Sequence, residues 1–303
     1  MVTRYGRHNL VWIDLIQPTP SEVRAIMDEF AIEPVIAQEL LLPSFKSKVE
    51  RKGDAIYMIL HFPTLRSIGG RAEQEIDFLI GKHFLITTHY ENIDPLHSFA
   101  KAFEVNGVLG AERTHTHGGH LFASMIHSLY QALGSECDAM QEKLQTIEDQ
   151  VFNGDEKRMV IELSHVGRTI HDFRQALIPH HDILSSLEGP AARMFGAEFS
   201  YHIRSLMGSY SRVQNALENL RDSLGELRET NNALLSTKQN EVMKTLTVLA
   251  FLVLPLTLVS QLFGMNAEHI PLIGLPGDFW IITGGLVVLA ASFLVYFKHK
   301  GWL

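Results

Sequence analysis

Met243, Leu246, Ala250, Leu254, Thr257 and Gln261 recur at steps of three and four, so a helix carries them on one face. Four are apolar; Thr257 and Gln261 offer polar oxygens inside a segment with no charged residue between Thr245 and Phe263. Polar side chains at such a depth mark ion or substrate paths more often than they face lipid. One such helix encloses nothing. A parallel ring of them could surround a water path, with Thr257 and Gln261 towards its far end. The competing role is local, with Thr257 bonding back to its own helix.

The elements that would position this stripe follow from hydropathy. The apolar stretches Thr245 to Phe263 and Phe279 to Phe297 are each nineteen residues long. That is close to the ~20 needed to cross a hydrocarbon core of about 30 Å. The connection, Gly264 to Asp278, is too short for a domain and has no Lys or Arg. Lys244 precedes the first stretch, and Lys298, His299 and Lys300 follow the second. The positive-inside rule therefore puts both termini in the cytoplasm and the loop outside, in a multi-pass protein of the cytoplasmic membrane. Trp280 and Tyr296 sit where amphipathic rings anchor at interfaces. The polar start, with Arg4 and Arg7, argues against a cleaved signal peptide. A lone Cys137 suits a reducing compartment. The net charge of −8 argues against nucleic acid and suits cations.

Upstream, residues 1–118 read as an α/β cytoplasmic domain. Leu10–Leu15 is a strand, and Pro18-Thr-Pro-Ser-Glu22 opens a helix. Lys48–Glu50 with Ala55–Phe62 form one hairpin, and Ile76–Ile80 with His83–Thr88 another. After Gly118-Gly119 the period becomes helical. Residues 119–242 read as a long helical stalk region. Its first helix carries Ile126, Leu129, Leu133, Cys137, Met140, Leu144, Ile147 and Val151 on one face. A second is expected from Glu156 to Leu187, with Val160 on its inner face and Gly189-Pro190 as its stop. A third has no proline between Pro190 and Pro255, so it is expected to run from about Phe199 to Phe263, ~100 Å at 1.5 Å per residue. Residues 243–303 are then a transmembrane hairpin: pore helix 243–263, outer loop 264–278, second span 279–298 and a basic tail. No phosphate-binding glycine loop, Gly-x-Ser-x-Gly elbow or cysteine cluster supports an enzyme, and no cofactor is expected.

Gly264-Met265-Asn266 at the end of the first of two C-terminal spans resembles the signature of the CorA family of divalent-cation transporters. Ser236, Asn240, Met243-Lys244, Leu246-Thr247, Pro255, Thr257, Phe263 and Pro271 fit the same pattern. The resemblance implies an α+β cytoplasmic domain, long stalk helices and two transmembrane helices, assembled as a funnel-shaped homopentamer in the bilayer. It implies inward transport of Mg²⁺, often with Co²⁺ or Ni²⁺. Gly264, Met265 and Asn266 would form the selectivity filter, with Gly264 permitting a close backbone turn. Mg²⁺ sheds its water reluctantly, so a ring of Asn266 carbonyls could hold the hydrated ion, with a Thr257 hydroxyl ring behind it. Leu254, Leu246 and Met243 would form apolar rings that stop ions by dewetting. Lys298 and Lys300 would make a basic collar at the inner mouth.

This chain has Leu272 where magnesium members often carry an acid after the loop proline; its loop acids are Glu268 and Asp278. The Gly/Pro-rich Ile270–Gly277 is closer in texture to the zinc-transporting, ZntB-like branch. Glu218, Asp222, Glu226 and Glu229 form an acidic ridge on the third helix. It reads as a solvated face, or as a regulatory Mg²⁺ site completed by Glu73, Glu75 or Asp77 of a neighbouring subunit. His115, His117 and His120 could bind a transition metal or lie in a solvated loop. A membrane-anchored coiled-coil sensor or scaffold without transport would explain the rod and the hairpin, but gives Asn266 and Thr257 no task.

Overall fold

The computed structural model describes residues 1–7, 9–44, 46–64, 73–108, 116–265, 270–274 and 276–302. The chain divides into two compact units, Met1–Arg228 and Glu229–Leu303.

The first unit is built on a six-stranded sheet. The strands are β1 (Val2–Arg7), β2 (Leu10–Ile16), β3 (Lys48–Lys52), β4 (Ala55–Pro63), β5 (Glu73–Gly81) and β6 (Phe84–His89), in the order β1-β2-β6-β5-β4-β3. Only β2 and β6 run parallel; the helices α1 (Pro20–Phe30) and α2 (Pro34–Glu39) lie in the crossover between β2 and β3. The two expected hairpins form. In the first, Gly53 takes a φ of 56° at the turn, which a residue without Cβ adopts freely. Thr19 caps α1 through a full capping box with Glu22.

Alternation along the strands sorts the two faces. Ile13, Leu15, Tyr57, Ile59, Leu79 and Ile86 face Val23 and Ile26 of α1 and Ile36, Ala37 and Leu40 of α2. The opposite face carries Trp12, in edge contact with Phe99 and Phe103 of α3 (Asp94–Val108). There Phe78 also meets Phe122 of α4 (Gly118–Phe152). Gly118 starts α4 in close contact with the sheet. Its N–H donates to the Lys82 carbonyl at 3.0 Å. A Cβ there would lie 2.2 Å from the Gly81 carbonyl oxygen.

The helical part departs from expectation around the second helix. The second helix is two helices, α5 (Glu156–Leu177) and α6 (His180–Phe195). The break falls at Ile178-Pro179, and Pro190 lies inside α6 rather than ending it. Proline chiefly disfavours a helical predecessor through that residue's Cβ and N–H, and Gly189 has no Cβ. Val160 is also misplaced: it is 47% exposed, and Met159 takes the inner position. The third helix, α7, runs unbroken from Phe199 to Phe263 with Pro255 inside it. Its stripe Ile203, Leu206, Tyr210, Val213, Leu217, Leu220, Leu224 and Leu227 is buried in the first unit.

The second unit holds the rest of α7 and α8 (Asp278–His299). Both helices are long and apolar enough to cross a membrane. Between positions 232 and 247 no residue of α7 is buried, and Val242, Met243 and Leu246 are all exposed.

Candidate functional site

The stripe on the first span is open along its whole length: Met243, Leu246, Ala250, Leu254, Thr257 and Gln261 are all exposed in the single chain. The covered positions are Val248, with Leu252, Pro255, Leu256, Val259 and Phe263 partly covered. At 100° per residue these lie on the opposite side of the helix from the stripe. Phe251 and Phe297, 6.4 Å apart, mark where the span meets α8. The stripe therefore faces away from α8, the other candidate span among the described residues. The Thr257 hydroxyl donates to the Val253 carbonyl at 2.8 Å. That is the local bond, but it uses only the proton, and the oxygen keeps acceptor capacity for a second partner.

Where α7 ends, the Gly264 N–H is shared between the carbonyls of Ser260 and Gln261, each at 3.1 Å. Gly264 is not among the residues with positive φ, and a Cβ there would meet its nearest atom at an ordinary 3.5 Å. The helix ends in a turn at Gly264, and this turn needs no positive φ. Met265 is exposed. Asn266 and Glu268 lie outside the described residues. Asp278 is not a free loop acid. It accepts from the N–H of Phe279 at 2.8 Å and of Gly274 at 3.2 Å, where α8 begins, and a carboxylate there offsets the helix dipole. Gly274 and Gly277 hold φ of 96° and 89°, and Leu272 takes 77°.

At the end of α8, Lys298 and Lys300 are two residues apart and so point to opposite sides of the helix end. Lys300 lines a cavity of about 390 Å³ with Phe251, Phe293, Tyr296, Phe297 and Trp302. The Lys244 ammonium donates to the Gly301 carbonyl at 2.7 Å. In the sequence Lys244 reads as a topological flank and as part of the pattern around the first span. Its partner lies 57 residues away, and no local spacing announces it.

The acidic candidates separate. Glu218, Asp222, Glu226 and Glu229 are exposed on the side of α7 away from the buried leucines. Glu73 is half-buried, but Glu75 is 8% and Asp77 1% exposed. Both turn under α2, with the Tyr57 hydroxyl donating to Asp77 at 2.9 Å. Completion of the ridge by Glu75 or Asp77 of a neighbour is therefore corrected to Glu73 alone.

His115 lies outside the described residues. His117 caps α4, its Nδ1 accepting from the His120 N–H. Its ring stacks on His120 at 3.9 Å and on Phe195 at 4.6 Å. His202 of α7 joins His120 at 4.7 Å, a member that sequence spacing could not reveal. Burial, then the neighbouring imidazoles, push His117 down to about 4. Among the described residues no three His, Cys, Asp or Glu side chains are arranged to hold a metal ion. Stacked imidazoles aim their lone pairs in parallel rather than at one point.

An α/β domain, a long helix and two C-terminal apolar helices define a membrane-anchored protein whose exposed stripe lies on its penultimate helix. Residues 7–299 match the family described as CorA-like Mg²⁺ transporter protein, and the chain belongs to that family. It is 23% identical over 283 residues to the cobalt/magnesium transport protein CorA of Thermotoga maritima, covering 93% of this chain and 80% of that one. It is likewise 23% identical over 313 residues to the zinc transport protein ZntB of Pectobacterium carotovorum, covering 100% of this chain and 92% of that one. The solved CorA magnesium transporter of Methanocaldococcus jannaschii superposes with a TM-score of 0.85 at 19% identity, covering 99% and 93% of the two chains.

Proposed function

We propose that the chain is the subunit of a homopentameric divalent-cation transporter of the cytoplasmic membrane, with Mg²⁺ as its main ion and both termini in the cytoplasm. The observation that carries this reading is the direction of the stripe. Met243 to Gln261 faces away from α8 and is uncovered, as a helix must be if copies of it surround a path. Positions 232–247 lack any fully buried residue, which leaves this part of α7 open to neighbouring copies.

In that assembly Asn266 receives the hydrated ion and Thr257 offers a second ring of oxygens. Leu254, Leu246 and Met243 form the narrow apolar stretch, and Lys298 contributes the basic collar. The acidic ridge, with Glu73 across the subunit boundary, senses internal Mg²⁺. Family membership supports the divalent cation. The 23% identity to ZntB and the glycine-rich loop support a second reading, Zn²⁺ transport.

The test is flux into proteoliposomes for Mg²⁺, Zn²⁺, Co²⁺ and Ni²⁺, with and without a pH gradient. Mass measurement in detergent establishes the assembly. Mg²⁺ uptake by a pentamer, abolished in Asn266→Ala and reduced several-fold in Thr257→Val, is the expected outcome. Zn²⁺ uptake without Mg²⁺ uptake selects the second reading. No flux of any of the four ions, or normal flux in an assembled Asn266→Ala variant, defeats the transport reading or the filter role respectively.

A further inference from the structure

The cavity that Phe251 of α7 forms with the end of α8 and the tail takes no part in the ion path. Phe251 follows Ala250 of the stripe, so it points about 100° round the helix from it. The cavity therefore opens on a flank of the α7–α8 pair. Its volume of about 390 Å³ falls among the ~300–1,000 Å³ of pockets that take small molecules. Phe297 is buried, while Phe251, Tyr296 and Trp302 are exposed in the single chain.

The walls are fixed by the chain's own contacts. Phe297 lies 6.4 Å from Phe251 and stacks on Trp302 at 5.9 Å. The Gly301 N–H bonds the Lys298 carbonyl and the Trp302 N–H bonds the Phe297 carbonyl, which folds the tail back. Lys244 ties the tail to α7 through the Gly301 carbonyl.

The lining is graded in polarity. Phe251 and Phe293 belong to the apolar stretches 245–263 and 279–297, and Lys300 lies three residues beyond the second. Lys300 is the one charge in the lining, which contains no acid. A matching occupant is apolar along the rings and negative at the ammonium. A small soluble anion would leave the rings uncovered, and a zwitterionic lipid would bring its own cation to the lysine. Tyr and Trp, apolar with a polar tip, suit the boundary between hydrocarbon and water. Basic pockets between membrane helices on the cytoplasmic side bind anionic head groups.

We propose that this cavity seats an anionic phospholipid from the leaflet at the basic end of α8, one acyl chain lying against Phe251 and Phe293 and the phosphate at Lys300. This rests on the membrane placement proposed above, which makes that leaflet the cytoplasmic one. The two lysines then divide their tasks: Lys298, on the other side of the helix end, serves the collar, and Lys300 the lipid. Because Phe251 and Trp302 are walls of one cavity, a chain seated there packs against the first span and the tail at once.

The far end of α8 supplies a control. Trp280 lies there beside Asp278, an acid in the first turn. The experiment reconstitutes the full chain into phosphatidylcholine bilayers that contain either dibrominated phosphatidylglycerol or dibrominated phosphatidylcholine, with bromine on the acyl chains to quench nearby tryptophan. Trp280→Phe leaves Trp302 as the membrane reporter, and Trp302→Phe leaves Trp280. Trp12 is buried in the first unit and adds the same unquenched signal to both.

Trp302 should reach equal quenching at about one fifth the mole fraction of the brominated anionic lipid, since a lysine beside an anionic head group favours it about fivefold. Trp280 should show no such preference. At Trp302, Lys300→Gln should bring the two lipids level, Lys300→Arg should keep the preference, and Lys298→Gln should keep most of it. Equal quenching by the two lipids with Lys300 in place would overturn the site and leave the membrane placement standing. So would a preference that survives Lys300→Gln, or one that falls as far in Lys298→Gln. A Trp302 quenched by neither lipid while Trp280 responds would also overturn it, since a neighbouring copy would then cover the cavity. Quenching of neither tryptophan would overturn both the site and the membrane placement. Flux plays no part in the readout, so failure of the transport reading would leave these outcomes unchanged.

Discussion

Lys244 reaches from the first turn of the proposed pore helix to the Gly301 carbonyl just beyond the end of α8, donating across 2.7 Å. The end of α8 is prepared for this contact. Gly301 takes a φ of 69°, its N–H returns to Lys298, and the Trp302 N–H returns to Phe297. This left-handed cap folds the tail back so that Trp302 stacks on Phe297 at 5.9 Å. A cation at a helix C-terminus also complements the helix dipole. The tail is thus tied to the same helix that bears the stripe.

Lys244→Met should loosen that tie. A hydrogen bond to a charged group contributes about 1.5–3 kcal/mol, so the tail should open at least tenfold more often. The only native cysteine, Cys137, is buried, and a Trp302→Cys probe can therefore be read by maleimide labelling. Labelling should accelerate about tenfold in Lys244→Met and much less in Lys244→Arg. Equal rates in all three backgrounds would show that the bond does not hold the tail.

The acidic ridge makes a separate prediction. Glu226 and Glu229 are exposed on α7, and Glu73 is the one β5 acid still partly open. If internal Mg²⁺ bridges these groups between subunits, it must bind the closed arrangement more tightly than the open one. Glu226→Gln with Glu229→Gln should leave maximal flux unchanged and weaken inhibition by internal Mg²⁺ by about tenfold, with Glu73→Gln acting in the same direction. Superimposable inhibition curves would remove the ridge from regulation.

How far the sequence foretold these features depended on the range of the signal. The stripe from Met243 to Gln261 was legible because helical periodicity is local, and the absence of proline before Pro255 foretold an unbroken α7. Pro190 misled because Gly189-Pro190 was taken as a joint stop, whereas the missing Cβ of Gly189 relieves part of the clash that normally ends a helix before proline. β1 was missed because it pairs with β2 alone at the edge of the sheet, where polar residues such as Thr3 and Arg4 are tolerated. Glu75 and Asp77 were read as surface ligands because charged residues are seldom buried. The parity of β5 instead put them on the face of Tyr57, and only the register with β4 and β6 reveals it. Lys244 with Gly301 and His120 with His202 are pairs far apart in the chain, with no spacing rule to connect them.

Tyr130 of α4 bonds His180 of α6, and His180 bonds the His61 carbonyl of β4, so this buried chain of contacts ties two helices to the sheet and sets a pH dependence of its own. His180 is fully buried. Its Nε2 donates to the His61 carbonyl at 2.8 Å, so in the neutral ring Nδ1 accepts from the Tyr130 hydroxyl, also at 2.8 Å. Burial lowers His180 to about 4, against a raising contribution from the His61 carbonyl. A base lowered on folding takes up its proton first in the unfolded chain. The stability it contributes is complete above its unfolded value of about 6.5 and is lost as pH falls towards 4. The full loss is roughly 3 kcal/mol. His180→Phe keeps the ring contact with Phe62 but has no proton to gain. The stability advantage of the wild type over this variant, measured by chemical unfolding in detergent, should therefore shrink by roughly 3 kcal/mol between pH 6.5 and 4. The other titrating groups cancel in that difference because both proteins carry them. Tyr130→Phe should cost about 1–3 kcal/mol at neutral pH by leaving Nδ1 without a donor. A gap between wild type and His180→Phe that stays constant across this window would mean that His180 keeps an ordinary proton affinity and that water reaches it.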